Sequence, residues 1–187
     1  MLVCRGRGQP TVAAFRRTWF ALQLALADGA RVVGAARGPE KLAFARASGA
    51  EVTVDYSAPG WVERVREATG GRGSTWSWTA VAGDLGEAAF GALADGGRFL
   101  GHGSAGGRFS EVDPHEAGRR GIEVLGLVDL EDGCHGEPNG AVHRILEPAR
   151  TGRVVPHVGL TVPLERAEEA HRALEERRVL GKVLLVP

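Results

Sequence analysis

The chain has 187 residues, 43% of them hydrophobic, with 23 basic and 23 acidic side chains. That is enough for one sizeable domain, or one domain plus part of another, and a formal charge of zero removes any general electrostatic case for nucleic acid or an anionic membrane. The two cysteines, Cys4 and Cys134, form neither a disulfide framework nor a metal-type spacing, so a reducing cytoplasm is the expected compartment.

Met1 to Cys4 reads as a short apolar strand, followed by a loop, Arg5 to Pro10, and a helix from about Thr11 to Ala27 closed by Asp28-Gly29. The apolar run Trp19 to Ala27 follows Arg16 and Arg17, as in a signal sequence, but it is too short to span a bilayer and reads as a buried helix. Strand, glycine loop and helix come in the order in which a dinucleotide fold places its phosphate loop. Gly6 and Gly8 supply the first two glycines of G-x-G-x-x-G, and Thr11 stands at the third. The alternative is a basic loop of no special geometry.

Arg31 to Ala36 is an apolar strand without polar alternation, as expected of a strand covered on both faces. The turn Arg37-Gly38-Pro39 leads into a helix, Glu40 to Ser48, because proline suits a first helical position. Gly49 ends that helix, and Glu51 to Asp55 is a second strand, completing a right-handed βαβ unit. The first of these strands ends without the acidic side chain that holds a ribose 2′-OH. Arg37 and Lys41 lie within reach of the same spot and favour a 2′-phosphate, hence NADP over NAD.

Further on come a helix (Ala58 to Thr69), a glycine loop (Gly70 to Gly73), and a segment, Ser74 to Val81, that reads poorly as the strand due there. A helix (Asp84 to Leu93) and a strand (Gly97 to Gly101) follow. His102-Gly103-Ser104-Ala105-Gly106-Gly107 then sits at the carboxyl edge, where a cofactor crosses. Gly121 to Val128 reads as a strand and Gly136 to Arg150 as a loop and helix. A strand (Val154 to Val158), a helix (Leu164 to Arg177) and a terminal strand (Lys182 to Val186) close the chain. The alternation is that of an α/β, Rossmann-type doubly wound parallel sheet.

From Ala30 onward the sequence resembles the medium-chain dehydrogenase/reductase superfamily, in particular its zinc-free quinone oxidoreductase branch. The resemblance is carried by Gly29-Ala30-Arg31-Val32-Val33, Glu40-Lys41-Leu42, Gly49-Ala50, Asp55-Tyr56, Gly96-Gly97-Arg98-Phe99, Gly121-Ile122-Glu123-Val124-Leu125-Gly126 and the ending Pro163-Leu164 to Gly181-Lys182-Val183. It implies a nucleotide-binding Rossmann domain over residues 1–150. Residues 151–187 are then a remnant of the catalytic domain, a tail that in the family packs on a GroES-like domain this chain does not contain.

The implied reaction is zinc-independent hydride transfer from NADPH to a small carbonyl, enone or quinone. The alternative is a non-catalytic NADP-binding or dimerising remnant. A different Rossmann enzyme, such as a methyltransferase, is disfavoured by the missing acidic residue.

Lys41 and Tyr56 match the positions that hold the 2′-phosphate. Gly101, His102, Gly103, Ser104, Gly126 and Leu127 lie toward the nicotinamide, and Gly6 and Gly8 toward the pyrophosphate. No residue is assigned as catalytic or as a metal ligand. The strand at 121–129 is the expected homodimer edge.

Two departures stand out. The Gln23-Leu24-Ala25 signature is preceded by an unusual loop. Ser74-Thr75-Trp76-Ser77-Trp78-Thr79 replaces a strand resembling Val-Asp-Val-Val-Leu-Asp. A GC-rich coding of that strand, read one base later, translates into the residues found here. The composition, rich in arginine with lysine only at positions 41 and 182, suits such a gene. This points to a pair of compensating frameshifts around residues 74–79, in the gene or in its sequencing, and the alternative is a divergent strand, since Trp and Thr are good strand formers; resequencing the locus separates a sequencing error from the rest.

Overall fold

The computed structural model describes residues 10–14, 19–81, 83–103, 107–126, 146–176 and 178–187. Strands β1 (Pro10–Ala14), β2 (Arg31–Ala36), β3 (Val52–Asp55), β4 (Ser74–Thr79), β5 (Leu93–Gly101) and β6 (Glu123–Leu125) form a sheet in the order β3-β2-β1-β4-β5-β6. All its pairings are parallel. Helices α1 (Trp19–Ala27), α2 (Pro39–Ala47), α3 (Trp61–Ala68), α4 (Asp84–Gly91) and α5 (Pro114–Arg120) connect them. This is the doubly wound Rossmann topology expected from the sequence.

The two faces have separate cores. Val32 packs with Ala21, Leu22 and Ala25 of α1 and Ala45 of α2, whereas its neighbour Val33 packs with Trp61, Val65, Phe90, Phe99 and Ile122. Successive residues of β2 thus serve opposite faces, which is why the strand is an unbroken apolar run. Gly34 lets α2 approach closely: a Cβ there would lie 3.1 Å from the Ala45 Cβ and 3.3 Å from the Ala50 Cβ.

Several boundaries differ from the sequence reading. The strand that pairs with both β2 and β4 is Pro10–Ala14, so Thr11 is in a strand and α1 starts only at Trp19. Met1 to Cys4 lies outside the described residues. Ser74–Thr79 does form a strand: it pairs with β1 and β5, and backbone hydrogen bonding does not depend on side-chain type. The price is polarity inside, since Ser74, Ser77 and Thr79 are buried and the Ser74 hydroxyl has no partner. The fifth strand begins earlier than expected, at Leu93, and α4 ends at Gly91. Helix α5 was not anticipated, although Asp113 caps it, Pro114 opens it and Gly121 ends it with φ 61°. The strand expected over 121–128 is described as Glu123–Leu125, its last two positions lying outside the described residues.

The tail forms a two-stranded parallel ribbon of β7 (Val158–Pro163) and β8 (Lys182–Val186), joined by a 3₁₀ turn (Leu164–Arg166) and α6 (Ala167–Glu175). The strand expected at Val154 to Val158 therefore begins at Val158, and the helix at Ala167. An open cleft of about 510 Å³ lies in this tail, lined by Leu160, Val162, Arg172 and Val179 among others, away from the carboxyl edge of the main sheet. The segment before β7 docks on α1 and α2. Trp19 and Gln23 both donate to the Val155 carbonyl, at 2.9 and 3.0 Å, and Phe44 stacks on Trp19 and meets the tilted ring of His157.

Candidate nucleotide-binding site

In a doubly wound sheet the ligand crevice lies outside the carboxyl ends of the strands, where the strand order reverses. Here that point falls between β1 and β4. β2 and β3 end beside each other on one side of it, with Ala36 paired to Asp55, and β4 and β5 end on the other, with Thr79 paired to Gly101.

On the first side, β2 runs buried to Ala36 and emerges at Arg37, which is exposed. Gly38 takes φ 87°, and a Cβ on it would meet nothing within 4 Å. It precedes α2, whose N-terminus has no side-chain cap. Lys41, in the first turn of α2, is half-buried. Among the described residues neither Arg37 nor Lys41 forms an ion pair.

Asp55, at the end of β3, accepts from the Ser57 hydroxyl at 2.6 Å, the Ser57 N–H at 2.8 Å and, more distantly, the Gly38 N–H at 3.4 Å. The Ser57 hydrogen bonds, with that of Gly38 and the charge of Arg37, hold its carboxyl below the usual range. Tyr56 is tied to the end of β2 by its N–H, which donates to the Ala36 carbonyl at 3.2 Å. Its half-buried ring packs on the Val33–Trp61 core. The structure thus brings Arg37 and Lys41 to one turn, while Tyr56 also has a packing role. Sequence reasoning missed Gly38 and Asp55, although the positive-φ glycine before Pro39 was the available signal.

On the second side the described glycines abut the protein itself. A Cβ on Gly103 would lie 2.2 Å from the Ala80 carbonyl oxygen, and one on Gly101 would lie 3.3 Å from the Phe99 ring. The protein's own atoms therefore account for both glycines. His102 accepts at Nε2 from the indole N–H of Trp78 at 3.1 Å, the rings meeting edge to face, and Trp78 packs against the α1 core. Gly126 follows β6. Ser104 and Leu127 lie outside the described residues.

Gly6 and Gly8 also lie outside the described residues, and in chain order they precede β1. A phosphate loop follows the first strand, so their place in the sequence does not suit the role expected of them. The residues joining β1 to α1 are Phe15, Arg16, Arg17 and Thr18, with no glycine.

Of the histidines, His157 lies tilted against Phe44, with ring centroids 4.4 Å apart, and His171 is exposed. Among the described residues no group of three or more His, Cys, Asp or Glu could hold a metal, and no helix is long and apolar enough to cross a membrane.

Strand order, the two-faced core and the topological switch point define the chain as a Rossmann-type domain. It belongs to the zinc-binding dehydrogenase family, whose model matches residues 19–131, and it is the quinone oxidoreductase-like cofactor domain of the medium-chain dehydrogenase/reductase superfamily.

Among its relatives, Quinone oxidoreductase-like protein 2 from Bos taurus is 31% identical over 158 residues, covering 83% of this chain and 45% of that protein. A crystal structure of an NAD-dependent alcohol dehydrogenase superposes with a TM-score of 0.84 at 32% identity, covering 97% of this chain and 52% of the other. The Escherichia coli quinone oxidoreductase, solved with NADPH, superposes with a TM-score of 0.81 at 25% identity, covering 97% and 57%. The chain thus spans about half the length of the proteins it resembles.

Proposed function

We propose that this chain is the cofactor-binding half of an NADPH-dependent, zinc-independent oxidoreductase whose acceptor is a quinone, an enone or another small carbonyl compound. The observation that carries the cofactor choice is the pair of cations, Arg37 and Lys41, flanking the Gly38 turn where β2 itself ends without an acidic residue; the Asp55 carboxylate beside that turn is engaged by Ser57 and the Gly38 N–H. Two positive side chains beside an uncapped helix N-terminus suit a 2′-phosphate, whereas a ribose 2′-OH calls for an acceptor. NADPH, when bound, supplies the hydride; the chain's residues hold and orient the nucleotide. The names of the Bos taurus and Escherichia coli proteins support the acceptor class.

In this reading residues 1–150 hold the nucleotide. Residues 151–187 form a tail that packs on a substrate-binding domain lying outside this chain. The strand at 121–129 pairs with a second copy; its described part, β6, is the sheet's edge and leaves Val124 42% exposed.

Calorimetry with NADPH and NADH tests the cofactor assignment. NADPH is expected to bind at least about tenfold more tightly, a preference of about 1.4 kcal/mol. The double variant Arg37→Ala/Lys41→Ala is expected to abolish that preference. Equal binding of the two nucleotides by the unaltered chain would reject NADP.

One observation favours the second reading, a non-catalytic NADP-binding or dimerising remnant. The connection from β1 to α1 has none of the glycines that let a backbone approach a pyrophosphate.

A further inference from the structure

β3 delivers a carboxylate to the place where β2 ends. Ala36 and Asp55 are register partners, and the Tyr56 N–H donates to the Ala36 carbonyl at 3.2 Å, so the exit of β3 lies against the turn into α2. One oxygen of Asp55, Oδ1, serves its own loop: it accepts from the Ser57 hydroxyl at 2.6 Å and the Ser57 N–H at 2.8 Å. The other, Oδ2, faces α2. Among the described residues its one hydrogen bond is a long one, 3.4 Å, from the Gly38 N–H.

The loop that carries Asp55 is itself held. Arg64, in the first turn of α3, donates to the carbonyls of Asp55 and Ala58, each at 3.3 Å, and to that of Pro59 at 2.8 Å. Three main-chain acceptors on one guanidinium, with two bonds from Ser57 on the carboxylate, fix the place of the Asp55 side chain. The Ser57 bonds also hold its carboxyl below the ordinary range, so it is charged at neutral pH.

A fixed negative charge here acts with a defined sign. Gly38 precedes α2 directly, with Arg37 before it and Lys41 in the first helical turn. An anion drawn to that turn by the two cations meets the like charge of Asp55 and is repelled by it. A neutral hydroxyl in the same place meets an acceptor with unspent lone pairs.

We infer that Asp55 is a specificity-determining residue of the nucleotide site: its carboxylate opposes a 2′-phosphate, accepts from a ribose 2′-hydroxyl, and holds the preference for NADPH over NADH below what Arg37 and Lys41 would give without it. The inference rests on the NADP assignment proposed above and goes beyond it, because it names the residue that limits the preference and expects the chain to accept NADH as well.

The test is a calorimetric titration of the full chain, Asp55→Asn and Asp55→Ser with NADPH and with NADH. Asp55→Asn removes the charge and keeps a carbonyl oxygen for Ser57; Asp55→Ser removes the charge with a smaller side chain, in case the amide disturbs the loop. The ratio of the NADH to the NADPH dissociation constant is expected to rise about threefold to tenfold in the variants, through tighter NADPH, weaker NADH, or both. A ratio that rises in neither variant overturns the inference. A fall in NADPH affinity with NADH unchanged also overturns it, and shows that Asp55 serves the site by holding the Gly38 turn. Equal binding of the two nucleotides by the unaltered chain rejects the NADP assignment alone; the inference then stands if a variant prefers NADPH and falls if neither does. No binding of either nucleotide to any of the three chains overturns both.

Discussion

The side-chain amide of Gln23 and the backbone of Val155 exchange two hydrogen bonds: Nε2 donates to the carbonyl at 3.0 Å, and the Val155 N–H donates to Oε1 at 2.8 Å. The amide behaves as a peptide group placed on α1, and it fastens the tail to the nucleotide-binding domain. Trp19 adds a third hydrogen bond to the same residue. A short parallel ribbon such as β7–β8 is marginal alone, and this docking is one of the contacts that hold the tail, with those of His157 on Phe44 and Lys182 on Phe20.

Gln23→Leu removes both bonds and leaves the Val155 N–H without that acceptor. A loss of about 1–2 kcal/mol is expected. It is read in urea unfolding and in faster proteolysis after residue 150, with the nucleotide-binding domain still folded. Unchanged protease sensitivity would mean that the Trp19 hydrogen bond and the aromatic contacts of Phe44 hold the tail without Gln23.

Ser74 is fully buried at the start of β4, with an unpartnered hydroxyl. Ser74→Ala removes the orphaned group and keeps the Cβ. The expected change is a gain of about 1 kcal/mol, seen as a higher urea midpoint with an unchanged slope. A loss of stability would show that the hydroxyl is satisfied in solution.

Gly103→Ala puts a methyl group 2.2 Å from a backbone oxygen, which cannot yield as a side-chain tip could. Destabilisation of about 2–4 kcal/mol is expected without any nucleotide present. If the glycine served only cofactor approach, stability of the free chain would be unaffected and nucleotide binding alone would fall.

Asp55 has a carboxyl held below its ordinary value of 3.8, first by the Ser57 hydroxyl. A group whose folded pKa is depressed stabilises the fold above its unfolded pKa, and that contribution is lost as pH falls through the folded value. The stability gap between the parent chain and Asp55→Asn is therefore expected to be full above about pH 4 and to shrink below it. Urea midpoints collected from neutral pH down to about pH 3 check this. A gap that stays constant over that range contradicts the assignment.

The sequence was a good guide where local rules and the fold agree. The β2–α2–β3 unit was legible because Val32 and Val33 form a two-faced apolar run, Pro39 opens the helix and Gly49 closes it. At the N-terminal part the helix expected from about Thr11 starts only at Trp19, because residues 10–14 form a strand of the sheet, and Gly6 and Gly8 precede that strand in chain order. Short glycine spacings carry little information without the strand that should precede them. β4 was doubted because its residues alternate small hydroxyls with indoles, yet pairing with β1 and β5 on both sides overrides that local preference.

By itself the sequence determined the doubly wound α/β class, the absence of an acidic residue at the end of β2 and the family. Each follows from residue type in chain order. Only the tertiary structure decided which glycines face open space and which face the protein's own backbone. It also showed that Gln23 binds Val155 across 132 positions, and that Trp78 and His102 bond each other beside the switch point. Those facts depend on distances between residues far apart in the chain, which close packing sets and one-dimensional patterns do not encode.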